Sequence, residues 1–397
     1  MNVREGVWPM VAVAWALGCG GRTDEDGSGM SPLAPPAATS APSMDGSSDA
    51  PSGAAPSDAH SDAGPGDAFS GAGTLDVQPG CQVGGDGLTN CGPNRESCCA
   101  SLEVPGGTYF RSYDPLGSDG RVMLAADGGP TGEAHPATVS SFRLDKYDVT
   151  VGRFRQFVNA WNGGHGYVPL AGSGKHTHLN GGLGLENSAQ PGMYESGWLA
   201  SDDAQIVLTD ENLDCGPATW TPSPVGDETL PINCVDWWEA YAFCIFDGGF
   251  LPSEAEWEYA AAGGSQQREY PWGSTSPGMD GQYAVYGNYY SGKGLGGPSG
   301  LGTGAGVLAP VGTAPLGAGA WGQLDLVGNV SQWNLDWYAN YVDPCVDCAN
   351  LTPASGRVSR GGYFQGPTSY LVVSNRGEAG PPDATGLGDG IRCARAP

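Results

Sequence analysis

The chain has 397 residues, with 43 aspartates and glutamates against 17 lysines and arginines, a formal net charge of −26. So acidic a chain lacks the positive surface that displaces counterions from a phosphate backbone, which excludes nucleic acid as a partner. Its 67 glycines and 32 prolines reach the level of low-complexity sequence, but they fall in two patterns. From Gly20 to about Gly80 they mix with Ala, Ser and Asp, a composition that buries too little apolar surface to offset chain entropy. After about Val104 they punctuate segments rich in Trp, Tyr, Phe and Leu, as expected of a folded domain dominated by loops.

Along the chain, "MNVREGVWPMVAVAWALGCGG" comes first. Arg4 gives a positive start, and the apolar run from Val7 to Leu17 is too short to span a bilayer. It reads as an export signal. The small residues before Cys19 resemble a bacterial lipobox, so residues 1–19 are expected to be a lipoprotein signal peptide with Cys19 lipidated, and plain secretion is the alternative. Residues 20–80 then form a disordered Ala/Ser/Pro/Gly/Asp linker, a tether that would hold a domain off a membrane. The expected location is the bacterial cell envelope, on the outer membrane or facing the periplasm, with the lipid as the sole membrane contact.

Without Cys19, ten of the 11 cysteines remain, an even number that suits up to five disulfides in an oxidising compartment. Cys81, Cys91, Cys98 and Cys99 crowd residues 81–102, a small stapled segment whose three possible pairings the sequence leaves open. "CVDC" (Cys345, Cys348) has zinc-like spacing, but no second ligand pair stands at a matching distance.

The main domain is expected over 103–397. "TVSSFRLDKYDVT" alternates around Phe142 and Leu144, which predicts a half-buried strand. Thr150 caps a helix running through Trp161, with Phe154, Phe157, Val158 and Trp161 on one core-facing stripe. Asp236 and Glu239 form a capping box for a second helix stopped by Gly248 and Gly249. Ser253 and Glu256 repeat the device, and Gly263 ends the third helix. Elsewhere there are short strands, many glycine turns and no internal repeat. The reading is a single loop-rich α+β domain with few short helices and short strands. "KHTH" (His176, His178) is the one histidine cluster, and two ligands seldom suffice for a metal, so both are expected to be polar loop histidines.

"VPGGTYFRS", "FRLDKYDVTVGRFRQFV", "LPINCVDWWEAYAFC", "LPSEAEWEYAAAGG", "YPWG", "APVG", "DLVGNVSQW", "SRGGYF" and "GIRCAR" follow one another in that order. Together they resemble the formylglycine-generating-enzyme, or sulfatase-modifying-factor, domain family. The resemblance covers nearly everything after Val104 and implies a fold distantly similar to C-type lectins. Active members oxidise a cysteine of a partner polypeptide with O₂, using two copper-binding cysteines four and nine residues past the Gly-Gly pair. Here those positions are Gly366 and Leu371, and Tyr363 stands where the family has serine. No copper is therefore expected, since soft thiolates are what selects Cu(I). A second branch of the superfamily uses iron held by an H-x3-H-x-E pattern, which this chain lacks.

The resemblance also implies a Ca²⁺ site at Asp325, Gly328, Val330 and Gln332, the last in place of the family's glutamate. A second site would take Asn288, but Thr303 falls where an aspartate belongs. A disulfide between Cys244 and Cys393 transfers as well, which leaves Cys215–Cys234 and Cys345–Cys348 by counting. The function expected is a non-catalytic, monomeric binding module for a polypeptide or glycan, with Tyr363, Phe364, Tyr370 and Arg376 along a groove. The alternative is an oxidoreductase of the same family with altered metal chemistry, acting on a protein or small-molecule thiol. Asp383 and Asp389, near Arg376 and Arg392, would serve as acid–base groups, although such pairs more often brace loops.

Overall fold

In the computed structural model Thr150, Asp236 and Ser253 each cap a helix, as their spacing predicts. The helices are α1 (Val151–Trp161), α2 (Trp237–Phe246) and α3 (Glu254–Ala262). Each cap side chain accepts the backbone N–H three residues on, and Glu239 and Glu256 close the two boxes. Gly263, at φ 66°, stops α3 in the left-handed conformation. The structure describes residues 79–81, 85–113, 133–290, 307–376 and 378–397. The signal segment with Cys19, nearly all of the linker and Thr303 lie outside the described residues.

Twelve short strands surround these helices. The first five are β1 (Ser101–Val104), β2 (Gly107–Phe110), β3 (Pro136–Val139), β4 (Phe142–Asp145) and β5 (Glu186–Asn187). Then come β6 (Ser331–Trp337), β7 (Cys345–Val346), β8 (Cys348–Ala349) and β9 (Arg357–Arg360). The last are β10 (Glu378–Gly380), β11 (Asp389–Gly390) and β12 (Ala394–Arg395). They pair as β1-β4-β12, β10-β9-β6-β11, β2-β3-β7 and β5-β8. Strand β9 matters most for function. It runs antiparallel to β6 with Gln332 opposite Arg360 and Trp337 opposite Arg357, so its two arginines mark opposite ends of one short strand.

The core has two large parts. One packs α1 against α2 through Phe154, Phe157, Trp198 and Phe243, and the other surrounds α3 with Tyr109, Phe142 and Trp257. The Cys-rich segment is a cap on this domain. Cys81 bonds Cys99 and Cys91 bonds Cys98, while Cys91 and Cys98 pack on Tyr147, Val311 and Leu324. Cys215–Cys234, Cys244–Cys393 and Cys345–Cys348 complete five disulfides, so the leftover counting gives the right pairs.

Charge enters the core in pairs. All nine residues of α3 are buried, including Glu254, Glu256 and Glu258. Glu254 meets Arg376 at 2.8 Å and Glu258 meets Arg360 at 2.6 Å. Glu256 meets His176 at 3.0 Å. His176 is thus not a polar loop histidine but a fully buried group clamped between Glu256 and Glu195. On the other side of the core, Arg153 bridges Asp145 at 2.9 Å and Asp247 at 2.6 Å, and Arg392 holds Asp148 at 2.7 Å.

Candidate functional site

The loop after β9 carries the positions that hold copper in the resembled family. Gly361 and Gly362 turn the chain at φ 101° and 64°, and a Cβ on Gly362 would come 2.7 Å from the Cβ of Tyr370. Only glycine fits there. The loop then folds inward. Leu371 is fully buried in the core around α3. At Gly366 a Cβ would stand 3.1 Å from the Tyr370 ring and 3.2 Å from the Tyr363 carbonyl, so a side chain there would need these neighbours to give by a few tenths of an ångström.

Two of the expected groove residues are inside the protein. Phe364 is 1% exposed and packs on Val285, Leu308, Ala309 and Val330. Arg376 is buried, donates to Glu254 at 2.8 and 3.0 Å, and stacks on Tyr341. Both are drawn in by partners far along the chain, an apolar nest for the ring and an ion pair for the guanidinium. Tyr363 and Tyr370 remain half-buried, with Tyr363 packed on the cluster that holds Phe364. The acid–base candidates are not brought together either. Arg392 serves Asp148, and Asp389 accepts from the Ser331 hydroxyl at 3.3 Å.

The "DLVGNVSQW" loop folds tightly around Gln332, which is fully buried. The indole N–H of Trp257 and the Nε–H of Arg392 both donate to Gln332 Oε1, at 2.6 and 3.1 Å. These two obligate donors fix which end of the amide is the oxygen. Nε2 must then face the other way, where it donates to the carbonyls of Asp325 at 2.9 Å and Val330 at 3.5 Å. The Asp325 carboxylate accepts from the backbone N–H of Gly312 at 2.5 Å, and burial raises its pKa to about 6. Ca²⁺ asks for six to eight oxygens. An amide N–H pointing at the carbonyls and a buried guanidinium beside the loop do not fit it. Of the second expected site, Asn288 is described, and its backbone N–H donates to the Phe364 carbonyl at 3.0 Å.

A scan against protein families matches residues 89–397 to the sulfatase-modifying factor enzyme 1-like domain. The chain belongs to this family. It is 34% identical over 314 residues to the formylglycine-generating enzyme of Streptomyces coelicolor, covering 74% of this chain and 88% of that one. It is 27% identical over 325 residues to the formylglycine-generating enzyme of Mus musculus, covering 78% of each. It also matches an inactive Cα-formylglycine-generating enzyme 2 of Mus musculus at 28% over 258 residues, covering 60% of this chain and 69% of that one.

Sequence reasoning missed a feature at the opposite end of β9. There a pocket of about 460 Å³ opens beside Arg357, walled by Trp238, Tyr241 and Leu351. Its residues come from four separate stretches of chain, and no local motif announces it. The one available signal was an excess of tryptophans around "DWW" and "DWY".

Proposed function

We propose that this protein is a non-catalytic member of the family, a binding module for a peptide or glycan carried on a lipid tether at Cys19 of a bacterial envelope. The observation that supports it is Leu371. A side chain fully buried in the core stands at one of the two copper-binding positions, and the other is a glycine crowded by Tyr370. The ten cysteines of the described residues are all disulfide-bonded, so none of them offers a thiolate in place of the missing pair. Tyr363 and Tyr370, half-exposed on the loop, are the contacts this reading assigns to the ligand.

The test is a metal and thiol count on the purified protein with its disulfides intact. It is followed by incubation with O₂, Cu(I) and a peptide bearing the cysteine that active relatives oxidise. The expected result is no copper or iron, no titratable thiol and no change in peptide mass. Stoichiometric copper or iron, or conversion of the peptide cysteine to an aldehyde, would return the chain to the oxidoreductases.

A further inference from the structure

Eight arginines are buried among the described residues, and seven of them have a carboxylate within 4.0 Å. Arg357 is the eighth and has none. Its guanidinium lies between the indoles of Trp237 and Trp337, 3.6 and 3.8 Å from the ring centres. Nη1 donates to the Leu335 carbonyl at 2.6 Å, and Nε is buried without an acceptor. The residue is 7% exposed. The nearby carboxylate of Asp336 is occupied by the backbone N–H groups of Glu254 and Asn350, each at 2.7 Å. Burial pulls the guanidinium down to about 9, which still leaves it charged at neutral pH. A buried charge of this kind is costly unless something answers it.

The pocket beside it shows what could. Its volume of about 460 Å³ lies in the range of small-molecule sites, and its walls are mainly aromatic and aliphatic. At the rim, Met193 and Leu199 are 59% and 48% exposed, large apolar side chains held in water next to the opening. Nη2 has no acceptor among the described residues and is the nitrogen a carboxylate would reach, with the unsatisfied Nε next to it on the same edge. Asp202, also on the rim, adds a negative charge that disfavours a dianion. We propose that this pocket binds a small monocarboxylate with a flat apolar body, its carboxylate on Arg357 and its body against Trp238 and Tyr241. This site is at the far end of β9 from the Tyr363–Leu371 loop and does not depend on what that loop does.

Calorimetric titration of the purified protein at neutral pH with 4-phenylbutyrate, 4-phenylbutyramide and inorganic phosphate tests the proposal. The acid is expected to saturate one site, with the amide at least tenfold weaker and phosphate not competing. Arg357→Gln should abolish the difference between acid and amide. Because that change could disturb folding, Ser196→Trp provides an independent arm. Ser196 is exposed on the pocket lining, and its replacement should block the acid while leaving the melting temperature unchanged. Equal binding of acid and amide, competition by phosphate, no saturable binding of the acid at millimolar concentration, or full binding by Ser196→Trp would each overturn it.

Discussion

The side-chain amide of Gln332 donates to the main-chain carbonyl of Asp325 at 2.9 Å. A glutamate at that position would turn a carboxylate oxygen toward the same carbonyl, and acceptor would face acceptor unless a cation stood between. The amide removes the need for one. Gln332→Glu should therefore make stability depend on Ca²⁺. In EDTA the variant is expected to lose about 1–3 kcal/mol, the usual cost of a buried acceptor left without a donor, since Arg392 and Trp257 still answer the other carboxylate oxygen. Added Ca²⁺ should restore much of that loss. The melting temperature of the unaltered protein should not move with either addition. A rise with Ca²⁺ in the unaltered protein would show that the loop holds the ion after all.

His176 predicts an alkaline limit to stability. Burial alone would lower its pKa, but Glu256 and Glu195 on either side outweigh that and raise it to about 10. The folded state then keeps a proton that the unfolded chain gives up near 6.5. Stability from this group is full below about 6.5 and is lost as pH rises toward 10. The slope approaches about 1.4 kcal/mol per pH unit for one proton. Urea unfolding at several pH values should show this fall, and His176→Gln should flatten it. An identical slope in the variant would assign the fall to other groups.

Arg376 and Glu254 offer a cleaner test of the inward-turned loop. Arg376→Met removes two hydrogen bonds to a buried carboxylate, which keeps Arg360 at 3.3 Å and the Tyr341 hydroxyl at 3.5 Å. A loss of about 3–5 kcal/mol in urea unfolding is expected. A loss under about 1 kcal/mol, the worth of an exposed pair, would mean the guanidinium faces water.

The Cys244–Cys393 bond joins α2 to the end of the chain across 149 residues. Replacing both cysteines by alanine should cost about 3–5 kcal/mol, most of it through the freed unfolded chain. The urea midpoint should fall accordingly. The change should far exceed that of replacing Cys345 and Cys348, whose loop spans a separation of 3.

The sequence was most legible where the causes are local. Thr150, Asp236 and Ser253 cap helices because their partners sit three residues away. The Gly361–Gly362 turn and the thiol-free positions Gly366 and Leu371 could likewise be read from one short stretch. What stayed hidden depends on distant partners. Phe364 and Arg376 look like groove residues until Val285 and Glu254 are placed beside them. Gln332 looks like a weakened metal ligand until Trp257, 75 residues away, and Arg392, 60 away, fix its orientation. His176 looks exposed among polar neighbours, yet its partner Glu256 lies 80 residues on. A loop-rich domain concentrates such cases, because its side chains are oriented by contacts that no local period encodes.

The inward placement of eight arginines has a practical consequence. A dicarbonyl reagent that condenses with guanidinium groups would find most of its targets shielded while the domain is closed. Arginine labelling followed by mass spectrometry would then act as a clock for opening, with nothing added to the chain. The order in which Arg153, Arg360 and Arg392 take up label would show which part of the core loosens first.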